Sequence, residues 1–187
     1  MAQGIRLIFL GPPGAGKGTQ AQFLAQSHNI PHISTGEILR QAINDQTSLG
    51  VKAKGFVDRG ELVPDNLILD LIRERLQKED ALKGWILDGF PRNVSQAEFL
   101  ASLLEELNQN CDFAINLEVS DDILIERLLG RGRRDDNATT IARRLEVYRE
   151  QTAPVIDFYE NHAALKSING DRPMAEVTEA LKACISI

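Results

Sequence analysis

The segment Gly11-Pro12-Pro13-Gly14-Ala15-Gly16-Lys17 constrains this chain more than any other stretch of it. Its glycines let backbone N–H groups converge on an anion, and it stands between two different periodicities. Ile5 to Leu10 is an apolar run of strand length, and beyond the loop a helical pattern runs through Phe23, Leu24 and Asn29. Strand, glycine-rich turn and helix in that order match G-x-x-x-x-G-K in the context that gives the pattern a mechanism. The helix N-terminus adds partial positive charge, and Lys17 can reach the outer phosphates of a bound polyphosphate. A glycine-rich turn before a helix is otherwise a plain connection; the lysine and the preceding strand weigh against that reading.

One departure from the usual loop matters. Ser or Thr ordinarily follows the lysine and holds Mg²⁺, whereas here Gly18 intervenes before Thr19. The metal role shifts toward Asp88, at the end of the Trp85-Ile86-Leu87-Asp88 run, acting through water. The alternative for Asp88 is a carboxylate that caps the following turn.

The rest of the chain repeats the alternation of strand and helix. Gly84 to Asp88 and Phe113 to Val119 read as buried strands, and Leu165 to Asn169 as a weaker one. Between them Ile68, Leu71, Ile72 and Leu76 recur at helical spacing, as do Val94, Ala97, Leu100, Leu104 and Leu107. Pro64-Asp65 and Asn93 mark the expected helix starts. Such alternation predicts an α/β fold, a parallel sheet covered by helices on both faces. With 187 residues, 43% of them hydrophobic, a single domain spanning 1–187 is expected. Segments 34–64 and 131–138 fit the sheet pattern poorly and are candidates for mobile inserts.

Charge narrows the function classes. A formal charge of −6 disfavours an extended nucleic-acid surface. Arginine outnumbers lysine, and its planar fork suits bidentate phosphate contacts. No run approaches the roughly 18 apolar residues of a membrane span. Met1-Ala2-Gln3-Gly4 lacks the regions of a signal peptide, so a cytoplasmic protein without membrane partners is expected. Cys111 and Cys184, far apart and outside any C-x-x-C pattern, predict packed thiols rather than zinc or a disulfide framework.

The variant Gly-Lys-Gly-Thr at 16–19 resembles the phosphate loop of the nucleoside monophosphate kinases, and further matches follow in order. Ile33-Ser34-Thr35-Gly36-Glu37 with Arg40 is similar to their monophosphate-binding segment, and Asp88-Gly89-Phe90-Pro91-Arg92 with Gln96 to their central motif. Arg127, Arg131, Arg133-Arg134-Asp135-Asp136-Asn137 and Arg144 resemble the border and hinge of their lid. Tyr148, Thr152-Ala153-Pro154 and Asn169-Gly170 carry the similarity almost to the end of the chain. Thr35 and Gln96 point within that family to the adenylate kinases, since kinases of UMP and CMP typically carry Ala and Asn there. An amide both donates and accepts, so Gln96 could read the N1 and N6 edge of adenine.

The resemblance implies a P-loop fold with a sheet of about five strands, a monophosphate-binding insert at about 34–64 and a very short lid at about 131–138. It implies reversible transfer of a phosphoryl group from ATP to AMP, giving two ADP, by a monomer using Mg²⁺ with ATP and no zinc. Lys17, Arg92, Arg131, Arg133 and Arg144 are the catalytic residues so implied. Gly14, Ala15, Gly16, Lys17, Gly18, Thr19, Arg127, Arg131 and Arg172 would bind ATP, with Arg127 stacked on its adenine. Thr35, Gly36, Arg40, Glu61, Val63, Gly89, Arg92, Gln96, Arg133 and Arg144 would bind AMP. Asp135 and Asp136 are open between orienting lid arginines and forming a solvated acidic pair. Arg73, Arg75 and Arg149 read as surface charges. With only Gly132 between Arg131 and Arg133, closure is expected to rest mainly on 34–64. The rival readings are a UMP or CMP kinase, and a nucleotide-dependent switch, against which the missing Asn-Lys-x-Asp and the second arginine-lined phosphate site both count.

Overall fold

A computed structural model describes residues 4–134, 136–162 and 165–185. Five strands, β1 (Arg6–Leu10), β2 (His32–Ser34), β3 (Trp85–Asp88), β4 (Phe113–Glu118) and β5 (Leu165–Asn169), form one sheet in the order β2-β3-β1-β4-β5. Every neighbouring pair is parallel. Parallel neighbours require crossovers, and helices supply them: α1 (Lys17–His28), α2 (Thr35–Asn44), α3 (Ser48–Arg59), α4 (Asp65–Leu76), α5 (Val94–Glu106), α6 (Asp121–Gly130), α7 (Ala138–Val147), α8 (Pro154–His162) and α9 (Met174–Ile185).

The apolar run of β1 explains why the sheet is covered on both faces. Ile8 and Leu10 belong to one core, with Ile68 and Ile72 of α4, Leu100 and Leu104 of α5, and Val155 and Tyr159 of α8. Leu7 and Phe9 belong to the opposite core, with Leu24 of α1, Leu124 and Leu128 of α6, Leu145 of α7, and Val177 and Leu181 of α9. A strand with both faces buried reads as continuous hydrophobicity rather than alternation. Trp85 of β3 is fully buried, and its indole N–H donates to Gln109 Oε1 at 2.9 Å. Truncating a side chain of that size in such a place costs roughly 3–5 kcal/mol.

The helix starts expected at Pro64-Asp65 and Asn93 are the observed ones: Pro64 precedes α4, and Asn93 caps α5 by accepting from Gln96 N–H at 2.8 Å. Strand β2 is the one strand of the sheet that the sequence pattern did not reveal, and helices α6 to α9 were not marked either. The strand has three residues, with only Ile33 fully buried among them, too few for a periodicity to show. The poorly patterned 34–64 stretch contains α2 and α3, packed so closely that a Cβ on Gly50 would lie 2.0 Å from Ala42 O. Leu39, Ala53 and Val63 of this stretch join the α4–α5 core. In the 131–138 stretch, Arg131 caps α6 and Ala138 opens α7; Asp135 lies outside the described residues.

Candidate active site

The carboxyl ends of β1, β2 and β3 converge on one cleft, at the place where the chain leaves β1 between its two neighbours, the usual ligand site of an open parallel sheet. The cleft has a volume of about 560 Å³. From β1 comes the Gly11–Gly16 loop. Gly16 stands before α1 with φ 93°, a left-handed conformation that favours glycine, and no side chain caps the helix. The first-turn N–H groups of α1 are thus left to a ligand. Ala15 is buried and its N–H turns inward to Pro12 O at 3.2 Å, closing the loop on itself.

Lys17 spans this loop, its ammonium donating to Gly11 O at 2.7 Å and Pro12 O at 2.8 Å. Burial pushes its pKa down to about 8; the Asp88 carboxylate opposes that shift, and the Arg92 and Arg131 charges add to it. Asp88 itself ends β3. Its burial favours the neutral acid, but the His32 hydrogen bond and the Lys17 and Arg92 charges outweigh this and hold its pKa below the usual carboxylate range. His32 Nε2 lies 3.4 Å from Asp88 Oδ2. With no side chain at Gly18, that same Oδ2 stands 3.4 Å from where a Cβ would be, open beside the loop.

A second cationic wall comes from β2 and the turn after β3. Thr35 Oγ1 donates to Gly89 O at 2.7 Å, and Arg92 Nε donates to the same oxygen at 2.7 Å. A Cβ on Gly89 would meet Thr35 Oγ1 at 2.7 Å and Arg92 Nη2 at 3.1 Å, so only glycine permits this convergence. The Arg40 guanidinium lies over Gly36, its Nη1 3.3 Å from a Cβ placed there. The Arg92 guanidinium faces the cleft but is densely surrounded by protein, and the cost of burying charge lowers its pKa, with Asp88 opposing and Arg144 and Arg40 reinforcing.

The third wall belongs to the ends of α6 and α7. Arg131 makes a two-pronged contact to Asp136, Nε to Oδ2 at 2.7 Å and Nη2 to Oδ1 at 2.6 Å, and Arg144 Nη1 reaches Oδ1 at 3.0 Å. The Asp136 side chain is fully occluded. Desolvation favours its neutral form, yet its two arginines prevail and lower its pKa. Asp136 is thus a carboxylate that orients two lid arginines.

Of the residues singled out from sequence, Gly14, Gly16, Lys17, Gly18, Thr19, Thr35, Gly36, Arg40, Glu61, Val63, Asp88, Gly89, Arg92, Gln96, Arg127, Arg131, Arg133 and Arg144 line this one cleft. Ala15 supports the loop from behind. Arg172 is not among the lining residues; it is exposed in the turn between β5 and α9. Arg127 is tied to that turn, Nη2 donating to Gly170 O at 2.9 Å. Arg73, Arg75 and Arg149 pair with Glu106, Asp80 and Asp121 at exposed sites, as surface charges do. His32 and Asp65 bear on the site without having been marked. The only sequence hint to either was position: His32 opens the Ile33-Ser34-Thr35 stretch, and Asp65 opens a helix.

A phosphate loop at one end of a cleft and an arginine-lined anion site at the other define a P-loop phosphotransferase with separate places for two phosphorylated substrates. The adenylate kinase family profile matches residues 9–164. An adenylate kinase 1 of Nostoc sp. strain PCC 7120 is 59% identical over 180 residues, covering 96% of this chain and 98% of its own. An adenylate kinase 1 of Synechocystis sp. strain PCC 6803 is 57% identical, covering 97% of each chain. An adenylate kinase of Leptospira biflexa is 50% identical, covering 94% of this chain and 97% of its own. The chain belongs to the adenylate kinase family, enzymes that transfer a phosphoryl group reversibly from ATP to AMP to give two ADP.

Proposed function

We propose that ATP and AMP occupy this cleft together, ATP with its phosphates on the Gly11–Thr19 loop and AMP with its phosphate between Arg40 and Arg92. The observation that carries the reading is that two cationic phosphate sites, one around Lys17 and one around Arg40 and Arg92, open into a single cavity. Phosphoryl transfer needs little covalent help; alignment and positive charge on the transferring oxygens supply most of the rate. Lys17, swinging from its two loop carbonyls, would follow the group in transit. Arg131, Arg133 and Arg144 would surround it, with Asp136 holding two of them in place beforehand so that less ordering remains at the moment of reaction. Glu61 and Val63 lie at the AMP side of the cleft, where Arg59 holds the Glu61 carboxylate through Nε at 3.0 Å and Nη2 at 2.8 Å. Gln96 would read the adenine of AMP, and Arg127 would lie on the adenine of ATP.

The residues present fit Mg²⁺ that arrives with ATP. Mg²⁺ is commonly held by one or two carboxylates, substrate phosphates and several waters, and Asp88 provides an ionised carboxylate beside the loop. Asp88, through water, would be its protein contact. Bound there, Mg²⁺ supplies charge neutralisation across the phosphate oxygens. No role for zinc is part of this reading.

Substrate closure rests mainly on 34–64, within a single domain. The protein is proposed to act as a cytoplasmic monomer: one chain supplies both phosphate sites, and Cys111 and Cys184 are free thiols, as suits a reducing compartment. Among the described residues no helix is long and apolar enough to cross a membrane. Product formation from ATP with AMP, UMP and CMP in turn tests the substrate assignment. ADP is expected from AMP far faster than product from either pyrimidine nucleotide; equal use of UMP or CMP overturns the assignment, and nucleotide binding without product would make the chain a switch.

A further inference from the structure

Gln96 is 2% exposed at the floor of the cleft, and its side-chain amide is held by two partners of opposite polarity. Its Oε1 accepts from the backbone N–H of Arg92 at 2.7 Å, and its Nε2 donates to Asp65 Oδ1 at 2.7 Å. Asp65 is the first residue of α4, where the helix dipole favours a carboxylate. The same Oδ1 also accepts from Asn93 Nδ2 at 3.3 Å. A carboxylate only accepts and a backbone N–H only donates, so neither partner tolerates the amide turned over.

A glutamine amide has two N–H donors and two acceptor lone pairs. One of each is spent on Asp65 and Arg92, which leaves one N–H and one lone pair in fixed order for the base. A 6-amino purine matches that order, since its ring N1 accepts and its amino group donates. A 6-oxo purine presents the reverse, an N1–H against the remaining Nε2–H and an oxygen against Oε1. It could be read only if the amide flipped, which would set Oε1 against the Asp65 carboxylate and Nε2–H against the Arg92 N–H. From this we infer that Asp65 is a specificity-determining positioning residue: together with the Arg92 N–H it locks the polarity of the Gln96 amide, and so disfavours 6-oxo purine monophosphates at the acceptor site. The inference rests on the reading of Gln96 as the residue that meets the base of AMP. It separates amino from oxo bases and does not act on base size.

The test compares kcat/KM for AMP and for IMP, with ATP as donor, in the wild type, Asp65→Asn and Asp65→Glu. Asparagine keeps the shape and adds a donor. Turned with its Nδ2 toward Gln96, it gives up the long Asn93 contact but removes one of the two penalties on a flipped amide, leaving only the Arg92 N–H opposed to it, so 6-oxo bases become readable at reduced cost. Asp65→Asn is expected to raise IMP use about tenfold relative to AMP, chiefly by gain on IMP, while the KM for ATP stays within twofold. Asp65→Glu, still an acceptor only, is expected to keep the wild-type ratio. An AMP to IMP ratio within twofold of wild type in Asp65→Asn, or one that falls equally in Asp65→Glu, overturns the inference. A wild type that does not prefer AMP to IMP, or a Gln96→Ala variant with an unchanged KM for AMP, removes the underlying reading and the inference with it. Should Asp65→Asn not fold, the unaltered protein gives the answer by NMR. One Gln96 Nε2 proton should be shifted downfield without nucleotide and the other only after AMP is added; two unshifted protons in the free protein overturn the assignment.

Discussion

At the scale of single residues, the site is a problem of holding positive charge where no counter-anion is yet bound. Lys17 answers it by resting on two loop carbonyls, and burial still depresses its pKa to about 8. A nucleotide polyphosphate beside the ammonium favours the charged form and raises that value. Between the free and bound pKa the complex holds a proton that the free enzyme lacks, so ATP binding should take up protons just above pH 8, and affinity should weaken as pH rises through that range. Titration calorimetry of ATP in buffers of different ionisation enthalpy reads this directly. No proton uptake near pH 8.5, or identical uptake in Lys17→Met, would contradict it. In turnover assays Lys17→Met should lower kcat roughly 10²- to 10³-fold, the usual loss on removing one preorganised charge from a transition state. Its unfolding midpoint should stay within a few degrees of wild type, because the loss is not one of core packing. Gln96→Ala should raise the KM for AMP at least tenfold while leaving that for ATP nearly unchanged, since a buried polar reader contributes to one substrate only. Equal effects on both would move Gln96 out of the acceptor pocket.

At the scale of elements, what holds the three walls of the cleft together is a set of close backbone approaches. Gly60 ends α3 with φ 74°, and a Cβ there would lie 2.8 Å from Thr140 O of α7 and 3.0 Å from Arg144 Cγ. Thr140 Oγ1 also donates to Asp58 O at 3.2 Å, so the acceptor segment is seated on the helix that carries Arg144. Gly60→Ala combines a left-handed backbone with a clash against main chain, and should destabilise the protein by about 1–3 kcal/mol. Urea unfolding measures it, and a change below about 0.5 kcal/mol, the range of an ordinary surface substitution, would show that the joint is loose. Sequence pattern revealed much at this scale. The strands β1, β3, β4 and β5 and the starts of α4 and α5 follow from apolar runs and capping residues, which are local signals. Strand β2 did not show, because three residues carry no period. Nor did the partners that tune the site: His32 and Asp88 are 56 positions apart, and Asp65 and Gln96 are 31, distances over which only the folded sheet creates a contact. The phosphate loop and the arginines were legible because their chemistry sits within short motifs. Asp136 was half legible, adjacent to the lid arginines yet indistinguishable in sequence from a solvated acid.

For the whole molecule, the question is how two polyanions are brought together and shielded from water when the segment between Arg131 and Ala138 is so short. The core elements cannot move far. β1, β3 and β4 have both faces packed, and the loop that binds ATP is anchored to them. The α2–α3 unit differs in kind. Its two helices are packed tightly on each other through Gly50, it joins the core through the buried Leu39 and Ala53 with Ile38, Leu49, Phe56 and Val57 at the edge, and its far end meets α7 at Gly60. A stiff pair of helices that meets a core along one side can move as one body, and lids of this kind exclude water and complete the catalytic arrangement. Closure should therefore fall on 34–64 rather than on 131–138. Amide hydrogen exchange with and without a bisubstrate analogue, two adenosines joined through a chain of phosphates, separates the possibilities. Protection is expected to rise across 34–64 by more than tenfold, with a smaller rise in 131–138 where Arg131 and Arg144 are already tied to Asp136. Unchanged protection across 34–64 would remove it as the moving part. Ordering confined to 131–138 would mean that even a lid this short is sufficient to close the donor site.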